Sequence, residues 1–397
     1  MEINEADVIF EIETEDTDYD EYPFNPNDIS IDKRTVLVET CIKRLTQNTI
    51  ILNPDFQRNE VWDEVRKSRL IESLMLKIPI PMFYVSADER NVFTVVDGLQ
   101  RLSSLRDFVL GNEQSKSKKK ELRLQGLEFW TQYNGKSFKE LPTYLQNRIT
   151  ETELTFTVIN PGTPEEVKRN IFKRINTGGL FLTSQEIRNA LYTGKATILL
   201  HRMAQSEDFL KATSYSVSPK RMDDLELVLR CVSFLLRDRS YYPKNSSMDT
   251  FLSDTMQIIN SYPDYNSHDM IKLFKQGGVT ENSINKVSLD DLMELFTLGM
   301  RRSCQLFGKH CFRKSHGEQR RSPLNKALFE MWGSILATLS EVEFIQLKTN
   351  SKQFYKEYYT LLDNVDFQNL TSRDSWKFTS LQKRFAIIDS LVQKYIF

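Results

Sequence analysis

The sequence predicts an α+β protein in which a domain of mixed helices and short strands precedes an all-helical one. Two observations carry this. Strand-like runs at Ile50–Leu52, Met82–Val85, Val92–Val96 and Leu154–Ile159 all fall before residue 160 and lie between helical segments. From about residue 205 onward the apolar residues recur at helical spacing and strand signals almost vanish. A chain of 397 residues with 40% hydrophobic content is long enough for two cores.

The elements follow in order. Ile50-Ile51-Leu52 reads as a short strand that ends at Pro54. Between Asp63 and Ile78, the residues Val65, Leu70, Ile71, Leu74, Met75 and Ile78 share a helix face, and Pro79 stops the helix. Two strands come next, then a tight Asp97-Gly98 turn and a helix from Leu99 to Leu110. Thr163-Pro164-Glu165-Glu166 supplies an N-cap, a proline at the first helical position and a capping acid. That helix runs to about Asn176 and ends at Thr177-Gly178-Gly179, where glycine permits left-handed backbone. A second capping box, Thr183-Ser184-Gln185-Glu186, opens a helix that stops near Gly194. In the helical part, Asp223–Leu236 places Leu225, Val228, Leu229, Val232 and Leu236 on one face. Leu289–Leu306, Leu324–Leu339 and Leu381–Tyr395 read as further helices. The expected organisation is an acidic leader over 1–34, an α+β domain over 35–200 and a helical domain over 201–397.

Net charge is −1, so its distribution matters more than its sum. Residues 1–22 hold ten acidic side chains and no Lys or Arg. Such a stretch is either a flexible, solubilising leader or an autoinhibitory strand that mimics nucleic acid over a basic groove. Lys116-Ser117-Lys118-Lys119-Lys120 forms a basic loop, and a second basic cluster runs from Arg301 to Lys326. Either could touch a phosphate backbone or simply be solvated. No apolar run approaches the ~18 residues of a membrane span, and Met1-Glu2-Ile3-Asn4-Glu5 has no signal-peptide character. Cys41, Cys231, Cys304 and Cys311 are scattered, as reduced thiols would be. The expected location is cytoplasmic, with no membrane partner.

The strongest chemical signal is strand, Asp97-Gly98 turn, then a helix opening on Leu99-Gln100-Arg101. A helix start offers backbone N–H groups and the positive end of the dipole, a natural seat for phosphate. Asp97 could hold Mg²⁺ or orient water, and Arg101 could clamp phosphate with its planar fork. Two more segments could join the site: Asn53-Pro54-Asp55-Phe56-Gln57-Arg58 with Trp62, and Phe172-Lys173-Arg174-Ile175-Asn176-Thr177-Gly178-Gly179 with Leu182 to Arg188. Structural readings stand beside these. Asp97 could cap the helix, Arg101 or Arg58 could make a buried ion pair, Asn176 and Gly178 could only end a helix, and Trp62 could anchor the core.

Taken together in this order and spacing, the three segments resemble the DGQQR-motif domain of GmrSD-type restriction proteins, over roughly residues 35 to 195. The resemblance implies a ParB/sulfiredoxin-like fold and nucleotide-dependent defence against foreign or modified DNA. It implies an NTP as the bound nucleotide, hydrolysed by the motif domain, which is separate from any nuclease domain; the expected metal, Mg²⁺, rests on the Asp97 carboxylate. The matching positions are Gln57 and Arg58; Asp97, Gly98, Gln100 and Arg101; and Arg174, Asn176, Thr177 and Gly178. Asp97, Gln100 and Arg101 would be catalytic, with Gln100 positioning water, and the others would bind nucleotide. Arg58 or Arg174 would stabilise developing charge. This chain carries Leu99 where the name-giving motif has its first Gln, which bears on hydrolysis more than on binding.

DNA is the expected partner. A nuclease partner protein would do any cutting, since no HNH-type pattern surrounds His201, His268, His310 or His316. Cys304, His310, Cys311 and His316 lack zinc-finger spacing and read as ordinary residues of a helical segment. The competing readings are a metal-dependent nuclease using the same site and a non-catalytic adaptor. As a phosphate clamp, Arg101 predicts that Arg101→Ala abolishes nucleotide affinity at a nearly unchanged melting temperature.

Overall fold

The computed structural model describes residues 12–13, 29–52, 62–111, 121–175, 182–244, 247–373 and 375–396. It is α+β and divides into two compact units. One spans Pro23–Leu191, and the other combines Met1–Tyr22 with Tyr192–Phe397. The two described residues of the acidic stretch, Ile12 and Glu13, therefore belong to the helical unit.

The first unit is a mixed five-stranded sheet. Its strands are β1 (Ile31–Leu37), β2 (Ile50–Ile51), β3 (Phe83–Ala87), β4 (Phe93–Asp97) and β5 (Glu153–Ile159), in the order β1-β5-β3-β4-β2. β1 pairs antiparallel to β5, and β5 runs parallel to β3. β4 pairs antiparallel to β3 and parallel to β2. Its helices are α1 (Val38–Thr46), α2 (Glu64–Met75), α3 (Leu99–Leu110), α4 (Thr143–Thr150), α5 (Glu165–Ile175) and α6 (Ser184–Leu191). Strand residues alternate between faces. Phe83, Val85, Phe93, Val95, Phe156 and Val158 join the apolar residues of α1 to α4 in the larger core. Val96 and Ile159 meet Phe172 of α5 and Ile187 of α6 in a smaller one.

β1 is the element that the sequence reading placed within or beside the leader. It pairs with β5 along its whole length. Its Asp32-Lys33-Arg34-Thr35 run is polar on both faces of an edge strand, which hides the period-two signal.

In the second unit the helices are α7 (Lys195–Ala204), α8 (Glu207–Ala212), α9 (Asp223–Leu236), α10 (Met248–Ser261), α11 (His268–Lys275), α12 (Leu289–Phe307), α13 (Lys326–Thr338), α14 (Glu341–Thr349), α15 (Ser351–Asp363), α16 (Val365–Ser372) and α17 (Phe378–Ile396). α12 and α13 touch backbone to backbone: a Cβ on Gly299 would lie 2.2 Å from the Gly333 carbonyl oxygen. Beneath them a fully buried Glu330 carboxylate is bonded by Arg230, at 3.1 Å, and by Arg384. Charges this deep persist only when paired. Among the described residues no helix is long and apolar enough to cross a membrane.

Candidate functional site

The Asp97 turn sits where β4 ends and α3 begins. Gly98 has φ +97°, and a Cβ there would fall 2.3 Å from Cδ1 of Phe83, so both backbone and space demand glycine. Phe83 cannot easily yield, because it stacks on Phe156 at 5.1 Å. The turn leaves the Asp97 side chain 36% exposed beside the first turn of α3.

Arg101 is engaged by protein oxygens. Nη1 donates to the carbonyl oxygens of Pro81 and, at 3.3 Å, Met82. Nη2 donates to Met82 O at 3.3 Å and to Asp97 Oδ2 at 2.9 Å. The guanidinium also lies 4.6 Å from the Phe83 ring centroid. Burial pulls its pKa down and the Asp97 carboxylate pulls it back, and an arginine stays charged through such a shift. Arg101 thus ties the segment before β3 to α3 and fixes one oxygen of Asp97.

Leu99 is 4% exposed and packs in the larger core. In this chain position 99 therefore faces the interior, so the Gln-to-Leu departure from the motif falls on a packing position. Gln100 is half-buried, and its Oε1 accepts the Trp62 N–H at 3.3 Å. Trp62 itself packs against the larger core, as an anchor would.

These bonds bring the ends of the three segments together. Leu52 follows β2, which pairs with β4, and Trp62 returns to Gln100. Gln57 and Arg58 lie between them, outside the described residues. The third segment enters through Phe172 and Ile187, packed on Val96 next to Asp97. Arg174 stands exposed in the last turn of α5, while Asn176, Thr177 and Gly178 lie outside the described residues. Thr183 and Glu186 form the expected reciprocal box, with Thr183 N donating to Glu186 Oε2 at 2.7 Å and Glu186 N to Thr183 Oγ1 at 3.2 Å.

Sequence reasoning passed over the buried polar face of α6. Gln185, Arg188 and Asn189 are at most 1% exposed. Arg188 Nε donates to Gln185 Oε1 at 2.9 Å, while the buried Gln185 Nε2 has no hydrogen-bond partner among the described residues. An unsatisfied buried amide is a group that a ligand or water would satisfy. The only sequence signal was polar residues at i, i+3 and i+4 on a helix already read as capped.

The other candidate constellations resolve differently. Lys116–Lys120 lies outside the described residues. The Arg301–Lys326 cluster is divided: Arg301, Lys309, Arg320 and Arg321 are exposed, whereas Arg302 donates to the Leu336 and Leu339 carbonyls, Arg313 is 2% exposed, and Lys326 pairs with Glu226 at 2.9 Å. Cys311 is buried, the His310 ring bonds Ser315 Oγ and Gly317 O, each at 2.9 Å, and His316 stacks on Tyr359. Among the described residues no three His, Cys, Asp or Glu side chains group to hold a metal ion. Any Mg²⁺ at Asp97 would draw its remaining ligands from phosphate and water, as that ion commonly does. Burial pushes the Cys41 thiol up to about 12, which makes it a packing residue.

Residues 39–193 match the family model of the GmrSD restriction endonuclease, N-terminal domain. No curated protein and no solved structure matches the chain.

Proposed function

We propose that the chain, whose residues 39–193 match the family model of the GmrSD restriction endonuclease N-terminal domain, is the NTP-binding and NTP-hydrolysing component of a system that acts on foreign DNA. The single observation behind this reading is the convergence at one end of β4. Asp97 emerges there, Gln100 holds the Trp62 N–H, and Phe172 and Ile187 pack on Val96.

The triphosphate would sit at the N-terminus of α3, where first-turn N–H groups have no partners within the helix. Asp97 would hold Mg²⁺ through the carboxylate oxygen that Arg101 leaves free. The bound ion would neutralise charge on the phosphate oxygens. Arg101 acts as a positioning residue, since both its terminal nitrogens already serve protein oxygens. Gln100 would orient the attacking water through Nε2. Arg58 and the exposed Arg174 would supply the positive charge that Arg101 does not, and Gln57, Asn176, Thr177 and Gly178 would line the nucleotide. The helical unit would engage DNA or a nuclease partner.

The test is phosphate release from ATP, GTP and CTP with Mg²⁺, with and without DNA, for the wild type and Asp97→Asn. Turnover that vanishes in a normally folded variant supports the reading. Mg²⁺-dependent nicking of DNA without nucleotide would replace it with a nuclease at the same site. Neither activity, with DNA binding indifferent to Asp97→Asn, would leave an adaptor.

A further inference from the structure

The helical unit grips two residues of the acidic stretch through both backbone and side chain. Ile12 forms a parallel bridge with Leu324, and the Glu13 N–H donates to Leu324 O at 2.8 Å. Leu324 is also bridged antiparallel to Arg313. It is therefore the middle rung of a small ladder whose other two rungs are Arg313 and Ile12.

The Glu13 carboxylate enters a built cradle. Oε1 accepts from Lys314 Nζ at 2.5 Å and from Ser372 Oγ at 3.3 Å, and Oε2 accepts from Asn325 Nδ2 at 2.8 Å. Asn325 is 1% exposed and fixed on every side. Its Oδ1 caps α13 by accepting the Leu328 N–H, its Nδ2 also donates to Thr371 O, and its backbone N–H bonds Phe312 O. The 313–324 segment is cross-tied by Ser315 and Ser322, each of whose N–H groups donates to the other's Oγ, at 3.1 and 2.9 Å. The receptor is thus held by helix caps and a knitted loop, independently of what fills it.

We propose that this face is a docking site for an extended acidic peptide of a partner protein, which Ile12 and Glu13 hold closed in cis. The ligand pairs as a strand along Leu324 and sets a carboxylate between Lys314 and Asn325. Its chemistry follows from the site's own groups. Leu324 O needs an N–H donor, and one residue's side chain away Lys314, Asn325 and Ser372 need an anionic acceptor. A peptide carrying Asp or Glu presents both at that spacing, as in strand addition generally. A phosphodiester presents acceptors only and leaves the Leu324 carbonyl unanswered. Among the described residues the resident contact is one strand rung and one carboxylate, which a longer or more tightly paired strand would displace.

The experiment uses the full chain and a fluorescein-labelled peptide with the sequence of residues 8–18, followed by anisotropy. Glu13→Ala, which removes the resident carboxylate, is expected to bind the peptide at least tenfold more tightly than the wild type. The gain is expected to disappear in Glu13→Ala/Lys314→Ala. It is also expected to disappear when the peptide carries Gln in place of the glutamate corresponding to Glu13, a control that needs no further change in the protein. Equal weak binding to the wild type and Glu13→Ala overturns the proposal. So does a gain indifferent to both the Lys314 change and the peptide's Gln. A DNA duplex that gains affinity for Glu13→Ala while the peptide does not would make the face a nucleic-acid surface, and that too overturns it.

Discussion

Arg101 Nη2 stands 2.9 Å from Asp97 Oδ2 across one helical turn, while the rest of the guanidinium fork is closed by the carbonyls of Pro81 and Met82. A residue placed so is part of the wall of the site. Arg101→Ala would leave two carbonyls and a carboxylate without donors. The expected loss is about 1–3 kcal/mol of stability, since the stranded groups are only part-buried and water answers some of them. The opposing outcome is the sequence-based expectation of a nearly unchanged melting temperature. Urea unfolding of the variant checks it, and an unshifted midpoint would return Arg101 to the ligand.

The contrast shows what the sequence carries. The helix from Asp63 appears as α2 with Asp63 accepting from Arg66 N as its cap, and Asp223–Leu236 has the bounds its apolar face marks. Local patterns of spacing and capping write themselves into sequence. The partners of Arg101 lie 19 and 20 residues upstream and are main-chain carbonyls, which no side-chain pattern announces. The buried face of α6 escapes for the same reason, since its polar composition mimics solvent exposure, whereas β1 escapes because it is an exposed edge strand, polar on both faces.

Gly98→Ala should damage fold and site together. A side chain at φ +97° is strained by about 1–2 kcal/mol, and its Cβ would strike Phe83 at 2.3 Å. Because Phe83 also supports the Arg101 guanidinium, Asp97 would shift with it. A lower unfolding midpoint accompanied by weaker nucleotide binding is expected. Full stability in the alanine variant would contradict the geometry.

Acid sensitivity should trace in part to Glu72. Burial raises the pKa of its carboxyl, but the backbone N–H groups of Glu128, Trp130 and Phe129 outweigh it, and the net shift is downward from 4.5. A carboxyl with a depressed folded-state pKa stabilises above its unfolded value, and that stability is lost as pH falls through the folded one. The wild type should therefore lose stability faster than Glu72→Gln as pH drops below about 4.5, although the variant is the less stable at pH 7. Parallel slopes for the two proteins would show that Glu72 contributes no such linkage.

In the helical unit, Gly299→Ala probes the tightest approach. The added methyl would meet the Gly333 carbonyl oxygen at 2.2 Å and Ala337 Cβ at 3.1 Å, so α12 and α13 must separate. Gly333 is also close to α9, since a Cβ there would lie 2.7 Å from Cys231 Sγ, which limits how far α13 can retreat. Overpacking of this kind costs on the order of 1–3 kcal/mol. Calorimetry should show a lowered transition, and an unchanged one would mean that the helices are not packed this closely.

Restoring the motif glutamine tests whether Leu99 limits the chemistry. Leu99 is 4% exposed, among the apolar residues of the larger core, and it opens α3 directly behind Gly98. Leu99→Gln would bury an amide among carbon atoms, at about 1–3 kcal/mol when no partner is found. If position 99 only packs, the variant melts earlier and releases phosphate from NTP no faster than the wild type. A rise in turnover would instead mean that the glutamine reaches the nucleotide and that the interior placement of position 99 yields when the residue changes. The two outcomes separate cleanly, because one moves stability alone and the other moves rate.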